Sequence, residues 1–395
     1  MNQQADALLS PTPKGHIPSL DGLRGIAILL VMAVHYVIFE PAPGLENGVK
    51  HLTDGGWMGV DLFFVLSGFL ITGILADAKG SRTYFRSFYG RRVLRIFPLY
   101  YLYLAFIFFL VPLALPSRAA ATSSQSEGWF WLYGVNLLVV HTGAWPTVPA
   151  TARLWSLAIE EQFYLLWPLL VFLLSRKRLL QLAVAVIILT PLIRAGMLLA
   201  GLPSVSVFVA LWARWDALMT GAFVALALRS AIGQRVIARY RKPVTWAAIA
   251  ILIGAAVRGR GLSQYAPAMQ VIGFTAIALL AGSAVVSTVT AGSRLSRWLS
   301  VAWLRAIGRF AYALYLFHAW AMWLLARTGL RSSNPPVILG GHLPAVFGMA
   351  LIAGALAYGM AWFSWHLFES PILRLKQFLP YEKAVRVPRT DLEAA

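Results

Sequence analysis

The sequence predicts an all-α, polytopic integral membrane protein with about ten transmembrane helices and one short re-entrant or interfacial segment. Three observations carry this reading. Hydrophobic residues make up 59% of the 395 positions, and mean hydropathy is +0.70. Charged residues make up only 12%, about half the share of a soluble domain. The apolar residues are also gathered into runs long enough to cross a bilayer, which takes roughly 20 residues at about 1.5 Å each.

In chain order the runs fall at 20–39, 57–75, 93–113, 157–174, 179–200, 207–228, 244–257, 266–289, 304–326 and 342–368. The segment 129–140 is apolar but too short to cross, which makes it the re-entrant or interfacial piece. Loop charge sets the orientation. Basic clusters follow every even-numbered span: Lys79, Arg82, Arg86, Arg91 and Arg92; Arg176, Lys177 and Arg178; Arg229, Arg235, Arg239, Arg241 and Lys242; Arg294 and Arg297; and Arg374, Lys376, Lys383, Arg386 and Arg389. Those ends, and with them both termini, are expected on the cytoplasmic side of an inner membrane. Arg258 with Arg260, and Arg327 with Arg331, are weaker basic pairs on the outer side. The expected organisation is a cytoplasmic tail over 1–19 without a cleaved signal peptide, a transmembrane domain over 20–372 and a second cytoplasmic tail over 373–395. The stretches 117–127 and 142–152 read as external loops.

Composition excludes several chemistries. With no cysteine there is no thiol nucleophile, disulfide or thiolate metal site. No GxxxxGK[ST] phosphate loop and no HExxH metal spacing occurs. The net charge of +19 lies in short loops beside apolar spans, so membrane topology and anionic headgroups account for it better than nucleic acid does.

Charge inside the spans is the functional signal, because ionisable groups in a bilayer are costly. Arg24 and His35 share the first run, LDGLRGIAILLVMAVHY. At eleven residues apart they fall on one helix face, roughly 16 Å apart along the axis. Arg92 and Arg95 form R-x-x-R at the start of the third run, on one face of a helix. With Arg24 they suit a bidentate phosphate clamp; as topology signals they would instead snorkel to headgroups. Asp61, in GVDLFFVLSGF, and Glu160, in LWSLAIEEQFY, are expected at the depth of His35, where a carboxylate would orient an imidazole base. Ser156, Glu160 and Tyr164 fall at i, i+4 and i+8 on one stripe. His318, in ALYLFHAW, is mid-span, and its spacing fits a helix–helix hydrogen bond as well as a contact to substrate.

These motifs, in this order, resemble the membrane-bound acyltransferase-3 family, which O-acylates sugars and related hydroxyls. The carriers are the R-x10-H of Arg24 and His35, the GVDLFFVLSGFLIT run, the R-x-x-R of Arg92 and Arg95, and S-L-x-x-E-x-x-F-Y from Ser156 to Tyr164. ALYLFH is similar as well, so the likeness runs from residue 20 to about 371. The resemblance implies acyl-coenzyme A as a cytoplasmic donor substrate, with Arg24, Arg92 and Arg95 at its phosphates. It implies catalytic roles for His35, Glu160 and Asp61, and substrate contacts by Ser156, Tyr164 and His318. The acceptor it implies is a hydroxyl of a glycan, a lipid-linked sugar or a related molecule. No tightly bound cofactor, no metal and no hydrolase-like domain after the membrane part are expected. Buried charge in ten spans also describes a secondary transporter of an organic anion, although no pair of Gly/Pro-broken helices in matching halves points to one.

Overall fold

The computed structural model describes residues 16–114, 126–148, 150–290, 292–330 and 334–381. Most of the two expected tails, the bulk of the 117–127 loop, and Arg331, Lys383, Arg386 and Arg389 lie outside the described residues. Among the described residues the chain is helical and contains no strand. Seven helical segments are long and apolar enough to cross a membrane: Pro18–Tyr36, Leu45–Ala78, Tyr84–Leu113, Leu154–Leu173, Arg176–Leu199, Met269–Val289 and Leu343–Phe378. The protein is therefore a multi-pass membrane protein.

Three of the ten expected spans do not meet that standard, each for a visible reason. The run 207–228 is broken: one helix ends at Val209, a tight turn covers Leu211–Ala213, and a second helix runs from Trp215 to Ala227. Arg214 and Asp216 sit at the break, both buried. A backbone group freed there finds a partner, since Arg194 donates to the Ala213 carbonyl at 3.0 Å. A break inside a membrane protein is tolerated only with such replacements. The run 244–257 is the second half of a 28-residue helix, Ala231–Arg258, whose first half carries Arg235, Arg239, Arg241 and Lys242. The run 304–326 is two helices that meet at Phe310. The short segment 129–140 is also two pieces, Glu127–Trp131 and Val135–Thr142.

The helices that position the site are labelled α1 (Pro18–Tyr36), α2 (Met58–Ala78), α3 (Tyr84–Ala105), α4 (Leu154–Leu173), α5 (Arg176–Leu199), α6 (Trp215–Ala227), α7 (Ala302–Arg309) and α8 (Ala311–Arg327). Small residues let them cross backbone to backbone, the usual device where lipid offers no hydrophobic drive for helix association. Gly68 of α2 and Gly221 of α6 make one crossing: a Cβ on Gly68 would run into the Leu218 carbonyl, and one on Gly221 into the Val65 carbonyl. Gly308, in α7, abuts the Asp21 carbonyl of α1 in the same way. Side chains then lock the register. Lys79, just past α2, donates to the Val171 and Leu174 carbonyls at 2.7 and 2.6 Å, satisfying the last turn of α4. Trp167 of α4 donates to Thr72 of α2 at 2.8 Å.

Gly221→Leu is expected to lower thermal stability sharply, because overpacking a closed contact costs about 1–3 kcal/mol or more. Gly196→Leu, on α5 where nothing stands within 4 Å of a new Cβ, leaves the unfolding temperature unchanged. Thermal unfolding of the two variants in detergent checks this.

Candidate active site

Two cavities meet in the middle of the helix bundle. The first has about 760 Å³ of empty space, part of it open at the mouth. Arg24 of α1 and Arg92 and Arg95 of α3 all reach its wall, as the spacing of the two motifs predicts. Arg24 is held by Asp21 at 3.0 Å, and the other oxygen of Asp21 meets His16 at 2.6 Å. Arg92 and Arg95 form no ion pair among the described residues; their guanidinium groups face aromatic rings instead. Arg92 stands 5.7 Å from the Tyr164 ring and 6.0 Å from that of Phe88, and Arg95 stands 5.7 Å from that of Trp365. Guanidinium groups at a cavity wall that are held in no ion pair suit an anion.

The stripe of α4 lines the same cavity. Glu160 accepts a hydrogen bond from Ser67 at 2.5 Å, and Tyr164 donates to the same Ser67 hydroxyl at 3.1 Å. At the other end of the stripe, Ser156 and the Tyr315 hydroxyl are 2.6 Å apart. The stripe therefore runs along the arginine cavity. The sequence reading expects Glu160 at the depth of His35; in the structure it lines the cavity of Arg24 and Arg92, whereas His35 lines the other. Phase along a helix is readable from spacing; depth relative to a residue on another helix is not.

His35 faces the second cavity, which has about 750 Å³ of empty space and is lined by Arg153, Trp57, Trp145, Trp155 and Tyr265 among others. Val60 and Tyr315 line both cavities, so the two spaces back onto the same pair of side chains. The Nδ1–H of His35 donates to the Val31 carbonyl at 2.7 Å. A carbonyl oxygen only accepts, so this bond fixes the tautomer and leaves a lone pair on Nε2 of the neutral ring. His318 is built the same way: its Nδ1 donates to the Leu314 carbonyl at 3.2 Å, and its buried Nε2 has no partner among the described residues. The two imidazole centroids are 5.0 Å apart. Tyr36 ties their helices together by donating to the His318 carbonyl at 3.0 Å. His318 thus stands beside His35, a pairing that the sequence does not disclose.

Asp61 is not brought to His35. Its Oδ1 accepts from Arg214 at 2.7 Å, and both side chains are 1% exposed. Beside this pair, Arg194 meets Asp216 at 2.9 Å, and Thr275 donates to the same Asp216 oxygen at 2.6 Å. The Arg214 guanidinium also lies 4.2 Å from the Phe274 ring centroid. Two cations and two anions, all but dry, neutralise one another. His35 accordingly takes its orientation from a backbone carbonyl and not from a carboxylate. Arg194, Arg214, Asp216 and Arg153 were all open to the sequence argument that singles out charge in apolar surroundings. The first three lie within the runs 179–200 and 207–228, and Arg153 lies four residues before the run 157–174.

Residues 17–365 match the model of a family described as an acyltransferase domain. Among curated proteins the chain is similar to the peptidoglycan O-acetyltransferase OatA of Listeria monocytogenes, with 29% identity over 94% of this chain and 58% of that protein. It is similar to the putative peptidoglycan O-acetyltransferase YrhL of Bacillus subtilis, with 27% identity over 95% of this chain and 57% of that one. The O-acetyltransferase OatA of Staphylococcus aureus is 26% identical over 77% and 50%. The chain thus spans between half and three fifths of the length of these relatives. No solved structure matches it.

The buried quartet makes a clear prediction. Asp61→Leu alone leaves Arg214 buried without its carboxylate, which costs about 3–5 kcal/mol, whereas Asp61→Leu with Arg214→Leu recovers most of the loss. The yield of monodisperse protein in detergent and its thermal unfolding report both variants.

Proposed function

The chain belongs to the acyltransferase-3 family, and we propose that it is a membrane O-acyltransferase that moves an acyl group, acetyl by preference, from acyl-coenzyme A to a hydroxyl of a glycan or lipid-linked sugar. The observation that carries this reading is the pair of cavities that share Val60 and Tyr315. One is walled by three arginines, the other holds His35 and a set of aromatic rings. The first suits the phosphates of a coenzyme A donor, which planar guanidinium groups bind bidentately. The second suits a sugar, whose apolar faces stack on aromatic side chains while its hydroxyls find the polar groups between them. The names of the relatives support acetyl as the group and a cell-wall glycan as the acceptor.

In this reading the arginine cavity opens to the cytoplasm, on the side of the basic loops. The broken helix, the helix pair at Phe310 and the 28-residue helix also count as crossings, ten in all, with both termini cytoplasmic. The thioester reaches Val60 and Tyr315 from the arginine side, and the acceptor hydroxyl arrives from the aromatic side. His35 Nε2 takes the hydroxyl proton as the oxygen attacks the thioester carbonyl. The resulting imidazolium returns that proton to the departing thiolate. Glu160, held by Ser67, faces the donor and lies apart from the base; its place is to position the pantetheine arm or the arginines.

Transfer from labelled acetyl-coenzyme A to glycan by the protein in proteoliposomes tests this. His35→Ala should lower kcat by about 10²-fold or more while the protein stays folded. Arg92→Ala and Arg95→Ala should raise the donor KM by about tenfold or more, as the loss of a charge-assisted contact does. Full activity of His35→Ala, or solute accumulation with no acylation, would contradict the reading.

A further inference from the structure

Among the described residues Arg153 has no partner for its charge. It is the residue before the first turn of α4, and its side chain makes no capping hydrogen bond. Its Nε is buried and unbonded, and its guanidinium forms no ion pair among the described residues. Only its backbone carbonyl is engaged, accepting from the Tyr315 hydroxyl at 3.0 Å. Three costs therefore fall on one side chain. A cation is withdrawn from water, it stands at the positive end of a helix dipole, and no carboxylate offsets it. Arg194 and Arg214, by contrast, are each held against an aspartate, at 2.9 and 2.7 Å.

The position of Arg153 says which charge is missing. It lines the cavity of His35, whose ring stands 5.0 Å from that of His318. Both imidazoles spend their Nδ1–H on backbone carbonyls, so in the neutral state each turns an acceptor toward the site. Among the described residues that line that cavity, Arg153 is then the only cationic donor. Its carbonyl is anchored to Tyr315, one of the two side chains that both cavities share.

We infer that Arg153 is the catalytic residue that receives the negative charge formed on the acyl carbonyl oxygen during transfer. The inference rests on the acyl-transfer reading above. His35 Nε2 removes the acceptor's hydroxyl proton, and the oxygen lone pair forms the new C–O bond. The carbonyl π pair moves onto its oxygen, where Arg153 donates to the oxyanion. That pair then re-forms the carbonyl as the C–S bond breaks, and the thiolate leaves with the sulfur pair and takes the proton from the imidazolium.

Steady-state kinetics of Arg153→Met and Arg153→Lys, with thermal unfolding of the same samples, test it. The Met variant is expected to unfold no lower than wild type, because an uncompensated charge has been removed. Its kcat should fall by about 10²–10³-fold, the usual loss of an oxyanion donor, with both KM values within about threefold, and Lys should restore part of the rate. A Met variant as active as wild type overturns the inference. So does a lowered unfolding temperature, which marks a structural cation, or a raised acceptor KM with unchanged kcat, which marks a cation reading the acceptor's own charge. A wild-type protein that transfers nothing overturns the proposed function itself, whereas an active wild type with an equally active Met variant overturns only the role of Arg153.

Discussion

The constraint on which this structure depends is the cost of holding charge away from water. Every guanidinium and carboxylate within the bundle must find a counter-charge, a backbone dipole or an aromatic face, or remain a destabilising feature. Asp61, Arg194, Arg214 and Asp216 neutralise one another in a dry cluster next to the break between Val209 and Trp215. Arg229 beyond α6 is paired with Asp77 at 2.7 Å. Arg92, Arg95 and Arg153 form no ion pair among the described residues and line the two cavities. A cation that lines a cavity without a paired carboxylate leaves room there for a ligand to supply the charge.

The same logic explains why the backbone bends where it does. A continuous helix over 207–228 would carry Arg214 and Asp216 without the turn that aims them at Asp61 and Arg194. The break frees backbone groups, and Arg194 takes up the Ala213 carbonyl. The glycine crossings of α2 with α6 and of α7 with α1 bring the helices close enough for these short side chains to meet. Packing, backbone irregularity and charge placement are thus one arrangement, and the two cavities are the space it leaves open.

Much of this was legible from the sequence. Hydropathy identified the helices, and R-x-x-R correctly placed Arg92 and Arg95 on one wall with Arg24. The i, i+4, i+8 stripe from Ser156 to Tyr164 does line a single surface. What escaped were relations between helices. Asp61 lies 153 residues from Arg214, and no local pattern links them. Glu160 shares a helix face with Ser156, but which neighbour that face meets depends on the tilt and stagger of α3 and α4. The pairing of His35 with His318 rests on the crossing of α1 and α8. The full-length runs at 207–228 and 304–326 were apolar enough to read as spans, because composition does not register a break that buried side chains stabilise.

The central claim is that donor and acceptor approach one another through separate cavities and meet at Val60 and Tyr315, within reach of His35. The most direct test is the structure of the protein with a non-hydrolysable acyl-coenzyme A analogue bound. The account predicts phosphates on Arg24, Arg92 and Arg95, and the acyl carbonyl at the shared wall with its oxygen toward Arg153. Phosphates bound elsewhere on the protein, or an acyl group turned away from His35, would contradict it.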